Sequence, residues 1–242
     1  MRKYQQGFTI IELVLVFAIT GLVIAMVLAG IGNSLRAERY RDATNQTIDF
    51  FQGLYSKTAN ISNDRDAAKN CDESVINEVY ETGGKGRGTS DCFLTGYFIK
   101  SSDNGDSITS QLVIARHDAN ADPDISTLSE AATLRRSHLH ATEQSTYTLD
   151  WGARLLEGGD PARFTMLIAR SPVSGVIRTY VDLTSNTATM ASLLAEPGQV
   201  SDARFCIDPS GIFNAGIAKN GFVIDSGAST SSNVRQLSAG DC

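Results

Sequence analysis

The sequence predicts an α+β fold: one long N-terminal helix laid on a mainly antiparallel β-sheet domain. Three observations carry this. Residues 8–32 are an apolar run with a single charge, Glu12. Residues 33–60 keep a helical period with no proline to interrupt it. From Phe93 onward the chain breaks into short β-branched and aromatic segments between turn residues, without the strand–helix alternation of a parallel sheet.

The apolar run FTIIELVLVFAITGLVIAMVLAGIG comes first. At about 1.5 Å per residue it reaches roughly 37 Å as a helix, enough to cross a hydrocarbon core of about 30 Å with some tilt. In lipid each backbone N–H and C=O must be satisfied internally, and a helix does this within one segment. Glu12 is the exception to its surroundings. A carboxylate in such a stretch is disfavoured by lipid unless it finds a partner, so it reads as functional. Arg2 and Lys3 precede the run and favour a cytoplasmic start.

A secretory signal places its cleavage site after the apolar run, behind small residues. Here Gly7 stands before it. Cleavage between Gly7 and Phe8 creates an α-amino cation four residues from Glu12, able to neutralise it within one chain or from the next copy. Gly7-Phe8-Thr9-Ile10-Ile11-Glu12-Leu13 resembles the class III signal of type IV pilin-like proteins: major and minor pilins, secretion pseudopilins and competence pseudopilins. The resemblance covers residues 1 to about 60. It implies a leader over 1–7 removed by a prepilin peptidase, N-methylation of Phe8, and a transmembrane and assembly helix over 8–32. Glu12 would pair with a neighbouring subunit's N-terminus. A plain membrane anchor, or an uncleaved signal of another type, would leave Glu12 and the Gly-Phe-Thr junction unexplained.

Over 33–60, Tyr40, Thr44, Ile48, Phe51, Leu54 and Tyr55 recur at three- and four-residue spacing, one face of an amphipathic helix. The simplest reading is one continuous helix of about fifty residues whose second half packs on the exterior domain. Gly21, Gly30, Gly32 and Gly53 each weaken it by about 1 kcal/mol against alanine. Major pilins commonly carry a proline about two turns beyond a glycine in the position of Gly21. Ala29 stands there, a departure that leans toward a minor pilin or pseudopilin.

The exterior part, 61–242, reads as a disulfide-bonded β-rich domain. A short helix is expected over 72–80, followed by the glycine-rich tract 83–88. The tract lacks the spacing and the strand–helix context of a phosphate-binding loop, and reads as a plain loop. Strands are expected at 93–100, 108–116, 145–150, 163–170, 175–183, 203–208 and 221–225. Turns are expected at Asp103-Asn104-Gly105, Glu157-Gly158-Gly159-Asp160 and Pro209-Ser210-Gly211.

Four cysteines follow the helix: Cys71, Cys92, Cys206 and Cys242. An even number in an exported chain reads as two disulfides. Three pairings are open, and proximity favours Cys71–Cys92 with Cys206–Cys242. Each would stabilise by roughly 3–4 kcal/mol. Metal binding by the cysteines is the alternative, but no CxxC spacing supports it.

The formal charge is −6, and removal of Arg2 and Lys3 makes it two units more negative. An acidic balance argues against broad nucleic-acid binding. The densest basic cluster is Arg135, Arg136, His138 and His140, the best local candidate for contact with DNA. No interleaved aromatics accompany it. His117 with His138 and His140 suggests zinc only loosely, since no cysteine or carboxylate stands at a familiar spacing. Asp118, Asn120, Asp122 and Asp124 alternate oxygen ligands like the opening of a calcium loop, but Pro123 replaces its glycine. An ordinary solvated loop is the simpler reading, so no cofactor is expected, with calcium as the alternative.

No nucleophile elbow, HExxH or dinucleotide fingerprint is present, and the chain does not read as an enzyme. The resemblance implies a structural subunit, a minor pilin or pseudopilin, of a type IV pilus or type II secretion-like filament. It would sit in the membrane as a single-pass protein before assembly and in an exterior filament or on the cell surface afterwards. Its partners would be other pilin-like subunits, the prepilin peptidase, the inner-membrane assembly platform and the membrane. The alternative is a tip-located binding module for DNA uptake or surface adhesion. The mature chain should start at Phe8, and Gly7→Ala should be processed poorly. Intact mass of the membrane form checks this: a chain still carrying residues 1–7 beside its peptidase removes the assignment.

Overall fold

A single helix, α1, runs unbroken from Ile10 to Ala59. The computed structural model describes residues 9–60, 69–71, 78–80, 92–116, 138–170, 175–195, 202–209, 212, 219–225, 227–237 and 240–242. Along α1 the surface changes character at Tyr40. Before it the large apolar side chains lie exposed; from it onward one face is buried.

That face meets two sheets. The first is built from β3 (Cys92–Ser101), β4 (Ser107–Arg116), β5 (His138–Thr148), β8 (Thr165–Arg170) and β9 (Ile177–Asp182), in the order β5-β4-β3-β8-β9. The second is built from β6 (Arg154–Glu157), β7 (Asp160–Pro161), β10 (Ala203–Asp208), β11 (Asn220–Ile224) and β12 (Val234–Leu237), in the order β12-β11-β10-β6-β7. All pairings in both are antiparallel. A small antiparallel pair, β1 (Lys69–Cys71) with β2 (Glu78–Tyr80), stands apart from them.

Alternation explains which side of each strand is buried. In β10, Ala203, Phe205 and Ile207 enter the core while Arg204 faces out. Strand β8 is buried on both faces, because a second element covers the far side of its sheet. Met166 and Ile168 face α1, whereas Leu167 and Ala169 join Phe98 and Val113 beneath a short helix, α2 (Met190–Ala195), through Leu193.

The main core is an aromatic cluster shared by all three layers. Phe51 of α1 lies 5.2 Å from the ring of Phe222 on β11 and 6.3 Å from those of Phe164, just before β8, and Phe205 on β10. The Phe164 and Phe205 rings are themselves 4.8 Å apart. Such offset contacts are favoured geometries for aromatic pairs, each contributing about 0.5–1.5 kcal/mol beyond area burial.

Polar groups at this interface are satisfied. Thr44, Thr47 and Thr58 are fully buried, and each donates to the carbonyl one turn earlier in α1, at 2.8–2.9 Å. Tyr40 donates to the Ile207 carbonyl at 2.8 Å and accepts from the Asn220 amide at 2.6 Å, joining the helix to β10 and β11. Tyr55 donates to Thr179 on β9 at 2.7 Å, since the Thr179 hydroxyl proton goes to the Ala228 carbonyl. Gln52 donates to the Val234 carbonyl of β12. At the helix C-terminus Arg170 donates to the Ala59 carbonyl at 2.8 Å, meeting one of the last carbonyls with a cation.

Several expectations need correction. The helix expected over 72–80 is not formed at its end, because Glu78–Tyr80 is strand β2; residues 72–77 lie outside the described ones. Nine residues are too few to hold a helix without tertiary support, and Val79 and Tyr80 suit a strand. The strand expected at 145–150 begins at His138 and ends at Thr148, so His138 and His140 lie within β5 rather than between strands. Pairing with the ten-residue β4 extends it, across an irregularity in register between Gln111 and Val113. Strands β1, β6, β7 and β12 and helix α2 lie outside the expected elements. The exterior domain holds two large sheets where one was read.

Burial raises the phenol pKa of Tyr55 most, and also those of Tyr40 and Tyr147, above the ordinary value. The folded chain therefore favours the neutral phenols. Their stabilisation is complete below about pH 10 and is lost as pH rises toward the folded values. Denaturation midpoints of the full chain in detergent should fall steeply above about pH 10, and Tyr55→Phe should flatten that fall. An unchanged slope would remove Tyr55 from the alkaline transition.

Candidate assembly site at the helix N-terminus

The start of α1 is fixed by Thr9 and Glu12. Thr9 is the N-cap in extended conformation, and its hydroxyl oxygen accepts from the Glu12 amide at 3.3 Å. Glu12 Oε2 reaches back to accept from both the amide and the hydroxyl of Thr9 at 2.9 Å. This is a reciprocal capping box, which satisfies two of the amides that any helix start leaves without a partner. It also sets the carboxylate against the positive end of the helix dipole. Thr-x-x-Glu ahead of an apolar run is the sequence signature of such a cap, a local role that the charge pairing expected of Glu12 leaves out.

Beyond this cap the apolar half has no protein around it. Ile10 is 83% exposed and Phe17 68%, with Leu22, Met26 and Leu28 similarly bare. Its hydroxyl at Thr20 donates back to the Val16 carbonyl at 2.7 Å, so the side chain needs no external partner. An exposed apolar surface of this length suits lipid or other such helices around it. By length and composition α1 is able to cross a membrane.

Residues 2–28 match the prokaryotic N-terminal methylation motif. This is the class III prepilin signal. It is typical of type IV pilins and pseudopilins, and one long helix on antiparallel sheets is consistent with a pilin-like α+β fold. A signal of this kind at the head of an apolar helix fits a membrane-anchored precursor that later enters an extracellular filament. No curated protein and no solved structure matches the chain. The match ends in the apolar half of α1, so it speaks for the helix and not for the sheets.

The remaining candidate residues fall in different places. Gly7 and Phe8 lie outside the described residues, as do Asp118, Asn120, Asp122, Asp124, His117, Arg135, Arg136 and the tract 83–88. His138 and His140 stand two apart in β5. Among the described residues no group of histidine, cysteine, aspartate or glutamate is arranged to hold a metal ion. Cys206 and Cys242 form a disulfide, closing a sequence separation of 36 residues, with Cα atoms 5.7 Å apart. The side chains of Cys71 and Cys92 lie outside the described ones.

The disulfide sits on the outer face of the second sheet, since Cys206 alternates with the buried Phe205 and Ile207. Directly across from Cys206 is Gly221 on β11. A Cβ there would lie 2.6 Å from Cys242 Sγ, 3.1 Å from Cys206 Cα, and against the Phe205 carbonyl. Gly221 thus leaves room for both the Phe205 carbonyl and the disulfide, a role that no local sequence signal announces. Gly221→Ala should destabilise the chain by about 1–3 kcal/mol through overpacking. In a Cys206→Ala, Cys242→Ala background the same change should cost less, because the sulfur is gone; equal penalties in thermal denaturation would show that Gly221 does not serve the disulfide.

Proposed function

We propose that this chain is a minor pilin or pseudopilin, a structural subunit drawn into a filament through its N-terminal helix. One observation carries the reading: the apolar half of α1 is bare along its length and bears its single carboxylate at the very start. Lipid can cover the apolar surface before assembly, and neighbouring helices can replace lipid afterwards. Glu12 gives this exchange a direction. In the single subunit it is held by Thr9, which caps but does not neutralise it. Processing before Phe8 supplies a cation, and the amino terminus of an adjacent subunit is the partner that a bundle of such helices brings to it.

The second half of α1 makes the subunit one body. Its bonds from Tyr40 through Arg170 hold the exterior domain to the segment that enters the filament. The long helix therefore places the two sheets outside the bundle wherever the N-terminal half is fixed.

Two substitutions separate capping from charge. Glutamine serves in a capping box as glutamate does, so Glu12→Gln keeps the helix start and loses only the charge. Glu12→Leu loses both. Leader removal and membrane insertion should persist in each, while both should be lost from sheared filaments when expressed beside unmodified partner subunits. Leaving an ammonium buried without its partner costs about 3–5 kcal/mol, roughly a hundredfold to several thousandfold in an assembly equilibrium. Normal incorporation of Glu12→Gln would show that the carboxylate acts only as a cap.

A further inference from the structure

Trp151, the one tryptophan of the chain, is 49% exposed and belongs to neither buried cluster. It sits in a single 3₁₀ turn, Asp150–Gly152, between β5 and β6. Its backbone is left-handed, with φ 61° and ψ 19°, the one non-glycine residue so placed among the described residues. A bulky side chain disfavours that conformation. The turn accepts it and yet presents the ring to the outside, where it buries no core surface. The ring is not loose, because the Arg39 guanidinium lies over it, 4.6 Å from the centroid.

The position of that pair along α1 is informative. The apolar run ends at Gly32, and Ile31 and Leu35 are still 49% and 53% exposed. Arg36 and Arg39 follow at helical spacing on the exposed surface. At about 1.5 Å per residue, the Arg39 Cα stands roughly 10 Å beyond Gly32. Helical side chains lean toward the N-terminus, which brings the guanidinium and the ring under it back toward the end of the span. The headgroup layer occupies about 5–8 Å on each side of the hydrocarbon. The pair falls at that depth. Tryptophan is enriched there because its ring is apolar and its N–H polar, and arginine reaches phosphate from the same level.

We propose that Trp151 and Arg39 form an interfacial foot, through which the exterior domain of the membrane-anchored precursor rests on the lipid headgroup layer. The ring lies at the boundary between acyl chains and headgroups, and the guanidinium, with Arg36 one turn below, meets lipid phosphate. The foot rests on the membrane-anchored state and adds to it an orientation: α1 is held with the side bearing η1 (Asp150–Gly152) against the bilayer.

Because Trp151 is the one tryptophan, intrinsic emission reports it directly. The full chain is reconstituted into phosphatidylcholine vesicles, with or without phosphatidylglycerol, carrying acyl chains brominated either near the glycerol or near the chain terminus. Flotation of the protein with the vesicles reports anchoring independently. Lipid brominated near the glycerol should remove about half of the emission, and deeply brominated lipid much less. Arg39→Gln should float equally and weaken the shallow quenching, most in vesicles with phosphatidylglycerol. Floating protein whose emission neither lipid quenches places the ring in water and overturns the foot. Stronger quenching from the chain terminus, or emission that changes only with the protein-to-lipid ratio, overturns it too, the latter by assigning the ring to contact between copies. Shallow quenching unchanged by Arg39→Gln overturns the pairing of the two residues.

Discussion

The structure depends on one constraint: a single helix must be buried by its own chain along one half and by something else along the other. The division falls at Tyr40, where exposed apolar side chains give way to a buried face. Phe51 anchors that face by meeting Phe164, Phe205 and Phe222 from both sheets at once. Neither sheet could close its core alone, since each supplies only one wall of this cluster. The helix is therefore the shared core element as well as the membrane element.

Polar detail turns this packing into a fixed arrangement. Apolar contact alone would let a helix slide or rotate on a sheet with small changes in buried area. Tyr40 and Tyr55 prevent this, because their hydroxyls are buried and lose hydrogen bonds if the register changes. The buried threonines contribute differently. Thr44 and Thr58 bond to their own helix and remain satisfied wherever α1 is placed, whereas Thr47 also accepts from the Tyr147 hydroxyl of β5 and helps to fix the position.

The N-terminal half has the opposite design. Its one hydroxyl in the span, at Thr20, and its capping box are satisfied within the helix, leaving side chains that ask only for an apolar environment. Such a surface accepts lipid and neighbouring helices alike. Glu12 is the exception, since its bonds to Thr9 cap the helix and leave its charge in place. On the proposed reading, local capping and pairing with a neighbouring subunit would use the same carboxylate in succession.

The sequence by itself determined the parts whose cause is local. The apolar run and its lone charge announce a spanning helix, and the three- and four-residue spacing from Tyr40 to Tyr55 marks the face that α1 buries. Alternation marked β10, whose bounds agree with the expectation of 203–208. Only the tertiary structure decided the rest. Polar segments such as His138–Gln144 became strand because β4 offered a long edge to pair with, and Glu78–Tyr80 paired with Lys69–Cys71 where helix was read. The division into two sheets follows from α1 touching both, a relation between residues far apart in the chain. Gly221 and Trp151 carry meaning only beside Cys242 and Arg39, because a glycine's missing Cβ and a ring's exposure are defined by neighbours that the chain supplies from elsewhere.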